Sequence, residues 1–440
     1  MRVVIVNAFE RGNRGDAALL SAMIEQTRQA YPDAETAICG FEDPAKAPEF
    51  DGVPNLGSIR RYAGEESVNP VRRHSRKLVA ILLVAALSAG LGRLLVRAAG
   101  TLLPKEVAAE FTAIAEADVV ISLGGGYLRG GADLPSDVSV AFLLLPLWIA
   151  GRFRVPVVSA PQSYGPFPTR FQRFAVRRVL SRNTVVSARE DISRQLLAEQ
   201  GIPDRIVRRD VDSAFAFTCR SDRDWRAEFG IPAADKVLLV TARQYLPPDG
   251  QAAYEKAMAA AIAHALREDG VHVVLAPQVT CAYHEDDDRI VQRRIAALTP
   301  HPRLRSVEDD TISHHDVMAL YSAADYMLGT RFHSVIFSLL AHVPCIAVSY
   351  ERKGRGIMRD LDLEHWVIDM ADATGERLIA LYDELRADGG YPALLASVIP
   401  AYRERAGEFV DVLRAVGSGQ RPELQPQAAI ADLSDANAGR

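Results

Sequence analysis

The sequence lacks the features that would place it in several common classes of protein. Its 440 residues contain four cysteines, which form no C-x-x-C pair and lie far apart at Cys39, Cys219, Cys281 and Cys345. This spacing favours reduced, buried thiols in a cytosolic protein over disulfides or a zinc site. A net charge of −5 gives no reason to expect nucleic acid as a partner. The N-terminus enters an apolar segment without a basic region before it, so we expect no signal peptide.

One uncharged apolar run, residues 78–92, is shorter than the roughly 20 residues that a membrane-spanning helix needs. Four cations precede it, Arg72, Arg73, Arg76 and Lys77. Three interpretations stay open: a helix that is buried or that forms a dimer, the latter giving a homo-oligomer; an interfacial helix, with peripheral membrane contact through residues 72–97; and a transmembrane span. We expect a cytoplasmic protein, which under the second interpretation would lie at the inner face of the cell membrane.

An apolar content of 48% and a charged content of 24% are typical of a globular protein. Short β-branched runs alternate with longer amphipathic ones, and this pattern predicts an α/β fold with parallel sheets flanked by helices. The chain is long enough for two Rossmann-like, doubly wound domains facing a cleft. We predict domains at 1–220 and 230–415, separated by a polar stretch within 217–231, and a disordered tail at 417–440.

The predicted elements can be given as ranges. Strands are expected at 3–7, 36–39, 119–122, 155–159, 184–188, 206–209, 237–242, 271–276, 326–329, 345–349 and 366–369. Helices are expected at 17–30, 192–200, 252–269, 289–298 and 332–341. Ligands of such folds bind at the carboxyl ends of the strands.

The first glycine-rich loop after a predicted strand contains Gly12, Asn13, Gly15 and Asp16. Its glycines allow a tight turn, and the N–H groups of the next helix could bind an anion or a sugar hydroxyl. We expect Asp16 to cap that helix. The spacing is not G-x-G-x-x-G, so the loop does not indicate a dinucleotide site.

Three further loops follow predicted strands of the first half. One contains three consecutive glycines, Gly124, Gly125 and Gly126, which are costly in entropy unless the backbone approaches something closely. That something is either a ligand or a neighbouring element. Another loop carries Gln162, and the last carries Arg189 at a strand end. All five residues are candidates for substrate binding.

The densest cluster of functional side chains lies in the second half. Arg331 and His333 follow one predicted strand, Lys353 follows the next, and Arg243 ends a third. Neighbouring strands of a parallel sheet would bring these three cations and the imidazole together. A single arginine at a strand end is usually a surface residue, but three cations beside a histidine favour an anion site for phosphate and carboxylate.

The motifs GNRGDAALL, SLGGGYL, APQSYGP, SARED, DVDSAF and TRFHSVIFSLLAHVPCIAVSYERKGRGIM occur in this order and together resemble the polysaccharide pyruvyl transferase family. The resemblance spans about residues 1–370 and is most specific in the Arg331–Lys353 block. Phe332 stands where the family usually has leucine. The resemblance implies a GT-B-like fold with phosphoenolpyruvate bound mainly by the second domain and the acceptor by the first.

The resemblance also implies a reaction: transfer of a pyruvyl group from phosphoenolpyruvate to a polysaccharide or glycolipid sugar of the cell envelope, giving a pyruvate ketal and phosphate. His333 is then the acid/base, because an imidazole can both donate and accept a proton near neutral pH. Arg331, acting with it as a catalytic residue, would hold the anions together with Arg243 and Lys353 and stabilise the departing phosphate. Arg189 would join from the first domain. We expect no metal and no cofactor.

Two other functions stay open. One is a nucleotide-sugar-dependent glycosyltransferase of GT-B fold, and the other is a non-catalytic carbohydrate-binding protein that has kept the fold. The acidic run at 285–288 has some likeness to a metal-binding motif, but acids are favoured at the start of a helix, so we interpret it as the start of the predicted helix at 289–298.

Overall fold

A computed structural model describes residues 1–64, 103–281, 286–350 and 352–423, with isolated positions between 75 and 101 and only the backbone at 352–354. Backbone contacts divide the chain into two compact units. The first contains residues 1–10, residues 19–213 and the described chain from Arg405 onward. The second contains residues 11–18 and 214–404. The sequence-based ranges 1–220 and 230–415 stay a prediction; the contact division differs from them by exchanging the segments at 11–18 and beyond 404.

The first unit is built on a six-stranded parallel sheet. Its strands are β1 (Arg2–Ala8), β2 (Glu35–Gly40), β5 (Val119–Ser122), β6 (Val157–Gln162), β7 (Val185–Ala188) and β8 (Val207–Arg209), with β3 (Glu49–Phe50) and β4 (Val53–Pro54) forming a separate hairpin. The order in the sheet is β2-β1-β5-β6-β7-β8. Every residue of β5, β6 and β7 is buried, so both faces of the sheet are covered, as in doubly wound folds.

The second unit repeats this architecture. Its sheet contains β9 (Lys236–Val240), β10 (Val271–Leu275), β13 (Leu304–Ser306), β14 (Tyr326–Gly329), β15 (Cys345–Ser349) and β16 (Val367–Asp369), while β11 (Thr280–Cys281) and β12 (Asp286–Asp287) pair antiparallel beside it. The parallel order is β13-β10-β9-β14-β15-β16. Strands β9, β14 and β15 are therefore neighbours, and their carboxyl ends lie side by side.

The described α-helices number fifteen in chain order. They are α1 (Arg14–Ala30), α2 (Ile59–Gly64), α3 (Lys105–Ala115), α4 (Leu134–Phe153), α5 (Arg170–Leu180), α6 (Asp191–Glu199), α7 (Trp225–Phe229), α8 (Pro248–Ala265), α9 (Asp288–Leu298), α10 (His314–Ser322), α11 (Phe332–Leu340), α12 (Arg352–Asp360), α13 (Gly375–Ala387), α14 (Gly390–Gly407) and α15 (Phe409–Gly417). By length and composition, α4 could cross a membrane. Its residues Val140, Leu143 and Leu147 lie in the hydrophobic core of the first unit, which is the position of a core helix.

The predicted α/β fold with parallel sheets is confirmed, and each predicted strand and helix lies on an observed one. The short edge strand β13 was not predicted. Most of the apolar run at 78–92 lies outside the described residues, as does most of the predicted tail at 417–440. The three interpretations of the apolar run therefore stay predictions.

Candidate active site

The carboxyl ends of β9, β14 and β15 carry the predicted cationic cluster of the second unit. Arg243 follows β9, and Arg331 and His333 follow β14 at the start of α11. The ends of β9 and β14 are tied together, because the Thr330 N–H donates to Thr241 Oγ1 over 3.1 Å. Lys353 lies in the first turn of α12 after β15, and its side chain is outside the described residues.

Arg331 is held by two carboxylates. Its guanidinium donates to Asp288 Oδ1 from Nε over 3.1 Å and from Nη2 over 2.7 Å. It also donates to both carboxylate oxygens of Asp286, from Nη1 over 3.2 Å and from Nη2. Arg331 is 7% exposed, and the Asp288 side chain is 1% exposed. The pair is thus a buried ion pair, whose partners become costly when separated.

The electrostatics of this pair follow from its burial. Burial acts to lower the pKa of Arg331, but Asp288 and Asp286 outweigh it and hold that pKa above its usual value. Burial raises the pKa of Asp288, although its Oδ2 also accepts from the N–H groups of Gln278 and Val279 over 3.0 and 2.9 Å. The charge of Arg331 is therefore largely matched by Asp286 and Asp288, and its predicted catalytic role stays a prediction.

The acidic run begins α9, as predicted, since Asp287 is the N-cap and accepts from the Arg289 N–H. The run has a second role that was not predicted from the sequence, because Asp286 and Asp288 are the partners of Arg331. The sequence signal for this second role is the spacing of Asp286 and Asp288, which lie two positions apart on either side of the capping residue.

Arg243 is less fully paired than Arg331. Its Nη2 lies 3.5 Å from Asp286 Oδ1, and within the described part of the chain its buried Nε makes no hydrogen bond. The guanidinium carbon lies 4.4 Å from the ring centre of Tyr350 and 5.4 Å from that of Tyr245. Both tyrosine rings lie close enough to the Arg243 guanidinium to stabilise its charge by cation–π interaction, which leaves its N–H groups able to donate to a ligand. Neither tyrosine was predicted from the sequence.

His333 lies half-buried at the start of α11, next to the glycine-rich loop of residues 12–16. A Cβ atom at Gly15 would overlap the imidazole ring, so only glycine allows the loop to approach the histidine this closely. On its other side, the ring of Phe332 packs edge-on at 5.2 Å between centres. Gly15 and Phe332 together restrict where the His333 ring can lie.

Arg14 fastens this loop to the second unit. It is 1% exposed, and burial lowers its pKa. Its guanidinium donates to four oxygens, those of Gly12 (2.5 Å), Thr280 Oγ1 (2.6 Å), Asp310 (2.7 Å) and Ile312 (3.1 Å). The loop also forms an antiparallel bridge between Asn13 and Val279. These bonds explain why residues 11–18 belong to the second unit.

Two expectations about this loop were wrong: that Asp16 caps the helix, and that the N–H groups of its first turn are free to bind an anion. The helix is capped by Asn13, whose Oδ1 accepts from the N–H groups of Gly15 and Asp16 over 3.2 and 3.4 Å. Asp16 instead accepts from Asn13 Nδ2 over 2.7 Å, because the helix begins two residues earlier than predicted. The N–H groups of Arg14 and Ala17 are also used, by the Gln278 and Asn13 carbonyls. The first turn of α1 therefore has no free N–H group for an anion, and substrate binding by Gly12, Asn13, Gly15 and Asp16 stays a prediction.

In the first unit, Arg189 lies in a buried polar network at the end of β7. Its Nη1 donates to Asp212 Oδ2 over 2.5 Å, and both side chains are 2% exposed. Its Nε donates to Ser163 Oγ over 2.9 Å and lies 3.3 Å from Glu190. Buried carboxylates thus already match the charge of Arg189, and a role for it in donor binding stays a prediction.

The three glycines after β5 allow close packing of the backbone. A Cβ at Gly124 would overlap the Pro161 carbonyl oxygen, and Gly125 has a φ of +134° and accepts from the Ser163 N–H over 2.8 Å. The neighbour that requires glycine is therefore the strand end at 160–163. Gln162 is fully buried and donates from Nε2 to Tyr164 Oη over 3.0 Å. Substrate binding by Gln162, Gly124, Gly125 and Gly126 therefore stays a prediction.

A group that could hold a metal ion lies in the second unit, on α8, on the turn that follows α8, and on α13. One ligand atom each of His264, Glu268 and Asp383 lies within 4.8 Å of the others. His264 Nε2 already bonds Asp383 over 2.7 Å, and Glu268 pairs with Arg386. These atoms satisfy one another without an ion, and we assign the group no part in catalysis.

Comparison with known proteins decides the family. The sequence profile of the family described as polysaccharide pyruvyl transferase matches residues 13–352, which include the glycine-rich loop from Asn13 onward, Arg243 and the Arg331–His333 segment. The chain belongs to the polysaccharide pyruvyl transferase family. As a member it is a transferase of polysaccharide pyruvylation. The resemblance inferred from the motifs is thereby confirmed.

Similar proteins agree with this family and with the fold. The amylovoran biosynthesis protein AmsJ of Erwinia amylovora is 26% identical over 399 residues, covering 86% of this chain and 91% of AmsJ. A solved UDP-N-acetylglucosamine 2-epimerase has a TM-score of 0.59 at 13% identity, covering 97% of this chain and 99% of its own. The UDP-GlcNAc 2-epimerase from Neisseria meningitidis has a TM-score of 0.57 at 12% identity, with 94% and 99% covered. These structures confirm that the fold is of the GT-B class.

Proposed function

We propose that this transferase uses phosphoenolpyruvate as the donor and forms a pyruvate ketal on a sugar of a polysaccharide or glycolipid. Atoms balance without a cofactor or a metal. The methylene carbon of the donor gains a proton, two sugar hydroxyl oxygens bond to its C2, and phosphate leaves with the bonding electrons. One hydroxyl proton replaces the proton added to the methylene carbon, and the other goes to phosphate.

The observation that carries this proposal is the guanidinium of Arg243. Phosphoenolpyruvate has a phosphate and a carboxylate, so its site needs a cation with hydrogen-bonding capacity to spare. Arg243 has a loose ion pair and a buried Nε without a hydrogen bond among the described residues. It shares Asp286 with the firmly held Arg331, so an incoming anion could compete for Arg243 while Arg331 keeps Asp288.

The position of His333 suits proton transfer in the same reaction. The imidazole lies at the end of β14, one strand away from Arg243 at the end of β9, and Gly15 and Phe332 restrict its ring. A fixed imidazole can give a proton to the methylene carbon and later take one from a hydroxyl. We propose His333 as the acid/base, and Arg331 as the residue that keeps the adjoining anion site in place.

Phosphate release tests this proposal directly. The purified protein is incubated with phosphoenolpyruvate and a sugar or glycolipid acceptor, and phosphate release is followed together with the mass of the product. We expect phosphate release that depends on acceptor, and a product heavier by one pyruvate less one water. Release of a nucleotide from a nucleotide sugar would identify a glycosyltransferase instead, and binding of acceptor without turnover would identify a carbohydrate-binding protein.

Two variants distinguish the proposed role of Arg243 in donor binding from that of His333 in proton transfer. Arg243→Gln should raise the KM for phosphoenolpyruvate more than it lowers kcat, because it removes a binding cation, and His333→Ala should mainly lower kcat. Arg267→Gln is the matched control, an exposed arginine of the same unit at the end of α8. Normal turnover by His333→Ala would contradict the acid/base role, and an unchanged KM for Arg243→Gln would contradict the donor site.

A further inference from the structure

Helix α5 exposes arginines and phenylalanines together. Residues 169–183 contain five arginines and no aspartate or glutamate, although the whole chain carries a net charge of −5. The helix buries Gln172, Val176, Val179 and Leu180. Phe171 and Phe174 remain 46% and 68% exposed. Large apolar side chains that stay in water beside a dense positive charge indicate a surface with a partner.

The helical period arranges these side chains in two stripes. Phe171, Phe174 and Arg178 follow one another at spacings of three and four residues, and Arg182 continues this stripe just past the end of the helix. Arg170, Arg173 and Arg177 form the second stripe, alongside the first. The first stripe lies on the side of α5 opposite to the buried residues, and the second lies along the flank between the two.

Helix α4 adds further exposed apolar side chains next to α5. The amino ends of the two helices are joined at Asp137, whose Oδ1 accepts from Thr169 Oγ1 over 2.6 Å and from Gln172 Nε2 over 2.8 Å. At this end of α4, Leu134 is 73% exposed and Val138 is 44% exposed. Four exposed apolar side chains therefore occur at the amino ends of two helices that are bonded to each other.

The carboxyl ends of the same helices gather positive charge. Arg152 lies in the last turn of α4, Arg178 in the last turn of α5 and Arg182 just past it. Partial burial, and then the charges of Arg178 and Arg152, lower the pKa of Arg182. Within the part of the chain that the structure describes, no ion pair is formed by the arginines of this region, which are Arg152, Arg170, Arg173, Arg177, Arg178 and Arg182. An anionic partner would therefore find several guanidinium groups here without a carboxylate partner among the described residues.

We propose that this face rests on an anionic lipid bilayer. The α4–α5 surface, as we call it, comprises Leu134, Val138, Phe171, Phe174, Arg152, Arg178 and Arg182. Its apolar side chains would enter the interfacial region while its arginines contact lipid phosphates; together the two signals give reversible attachment, whereas either alone is weak. The exposed aliphatic pair at Leu134 and Val138 favours lipid over a polyanion, which offers no apolar layer. The inference does not depend on the donor or acceptor of the proposed reaction.

Vesicle flotation of the full chain tests the charge component. We expect binding to phosphatidylcholine vesicles that contain phosphatidylserine, and much weaker binding to phosphatidylcholine alone. The triple variant Arg152→Gln/Arg178→Gln/Arg182→Gln should bind the anionic vesicles at least about tenfold more weakly. The control Arg205→Gln/Arg267→Gln/Arg377→Gln removes the same charge from exposed positions elsewhere and should bind like the wild type.

A second variant tests the apolar component. Phe171→Ser/Phe174→Ser should weaken vesicle binding while the melting temperature stays near that of the wild type, because both side chains are exposed. Wild type that ignores anionic vesicles, or a triple arginine variant that binds them normally, would overturn the proposal. So would a phenylalanine variant that keeps full vesicle binding but changes the oligomeric state in sedimentation, since the surface would then join two copies of the chain.

Discussion

Glu110 should make the stability of the first unit depend on pH. It lies on α3, is 1% exposed, and accepts the Ile59 N–H at Oε2 over 2.5 Å. Burial raises the pKa of Glu110 from an ordinary 4.5 to about 7, and the bond from Ile59 partly offsets this rise. The protonated form is therefore favoured by folding. Stability from this group is fully present below about pH 4.5 and is lost as the pH rises through about 7.

The magnitude follows from the two pKa values. Their difference is 7 − 4.5 = 2.5 units, and at about 1.36 kcal/mol per unit this amounts to about 3 kcal/mol above pH 8. Glu110→Gln keeps a carbonyl oxygen for Ile59 and removes the charge. The variant should therefore be more stable than the wild type by up to about 3 kcal/mol above pH 8, and close to it near pH 4.5.

Hydrogen exchange measures this difference within the first unit, since peptides from β1 and β5 report its opening free energy separately from that of the second unit. The matched control is Glu116→Gln. Glu116 follows the same helix, its side chain is 49% exposed and it pairs with the exposed Arg2, so its replacement should change little at any pH. A gap between Glu110→Gln and wild type that is the same at pH 5 and pH 8 would refute the assignment of a buried, protonated carboxyl.

Three further predictions concern the candidate site. Gly15→Ala should displace the His333 ring and lower kcat about 10²-fold, measured by phosphate release, with a near-normal KM. Arg331→Lys should lower kcat/KM by about 10²-fold or more, because an ammonium cannot bond both Asp286 and Asp288 as a guanidinium does. Asp288→Asn should lower the free energy of unfolding of the second unit by about 3–5 kcal/mol in urea titrations, since it leaves a buried arginine without its main partner. Values near those of wild type in any of these assays would contradict the corresponding contact.

Sequence patterns were sufficient for the fold because its strands are buried on both faces. Continuous apolar runs such as Val119–Ser122 and Cys345–Ser349 are bounded by loops, and their predicted ranges match the observed strands. The strand Leu304–Ser306 was missed because it has only three residues, all half-buried, with an arginine at its centre, so no apolar run marks it.

The cations of the site could be predicted from the sequence, but the carboxylates that pair with them could not. Parallel strands place Arg243 and Arg331 at neighbouring strand ends, which follows from topology alone. That Arg331 faces Asp286 and Asp288 depends on the path of the chain between β10 and α9, which no local pattern specifies. The role of Arg14 was hidden for the same reason, because its four acceptors are spread between Gly12 and Ile312.

The segment at 11–18 and the chain that follows Glu404 have a consequence for biosynthesis. The first unit includes the segment from Arg405, where Gln26 donates to the Ala406 carbonyl over 2.6 Å and Tyr31 donates to that of Leu413. At 5–20 residues per second, a ribosome needs on the order of 20–75 s to pass from Tyr31 to Arg405. During that time Gln26 and Tyr31 lack their acceptor carbonyls on Ala406 and Leu413, because that part of the chain has not yet been synthesised. Neither unit can be expressed as one uninterrupted fragment, and a truncation before Arg405 removes part of the unit that was made first.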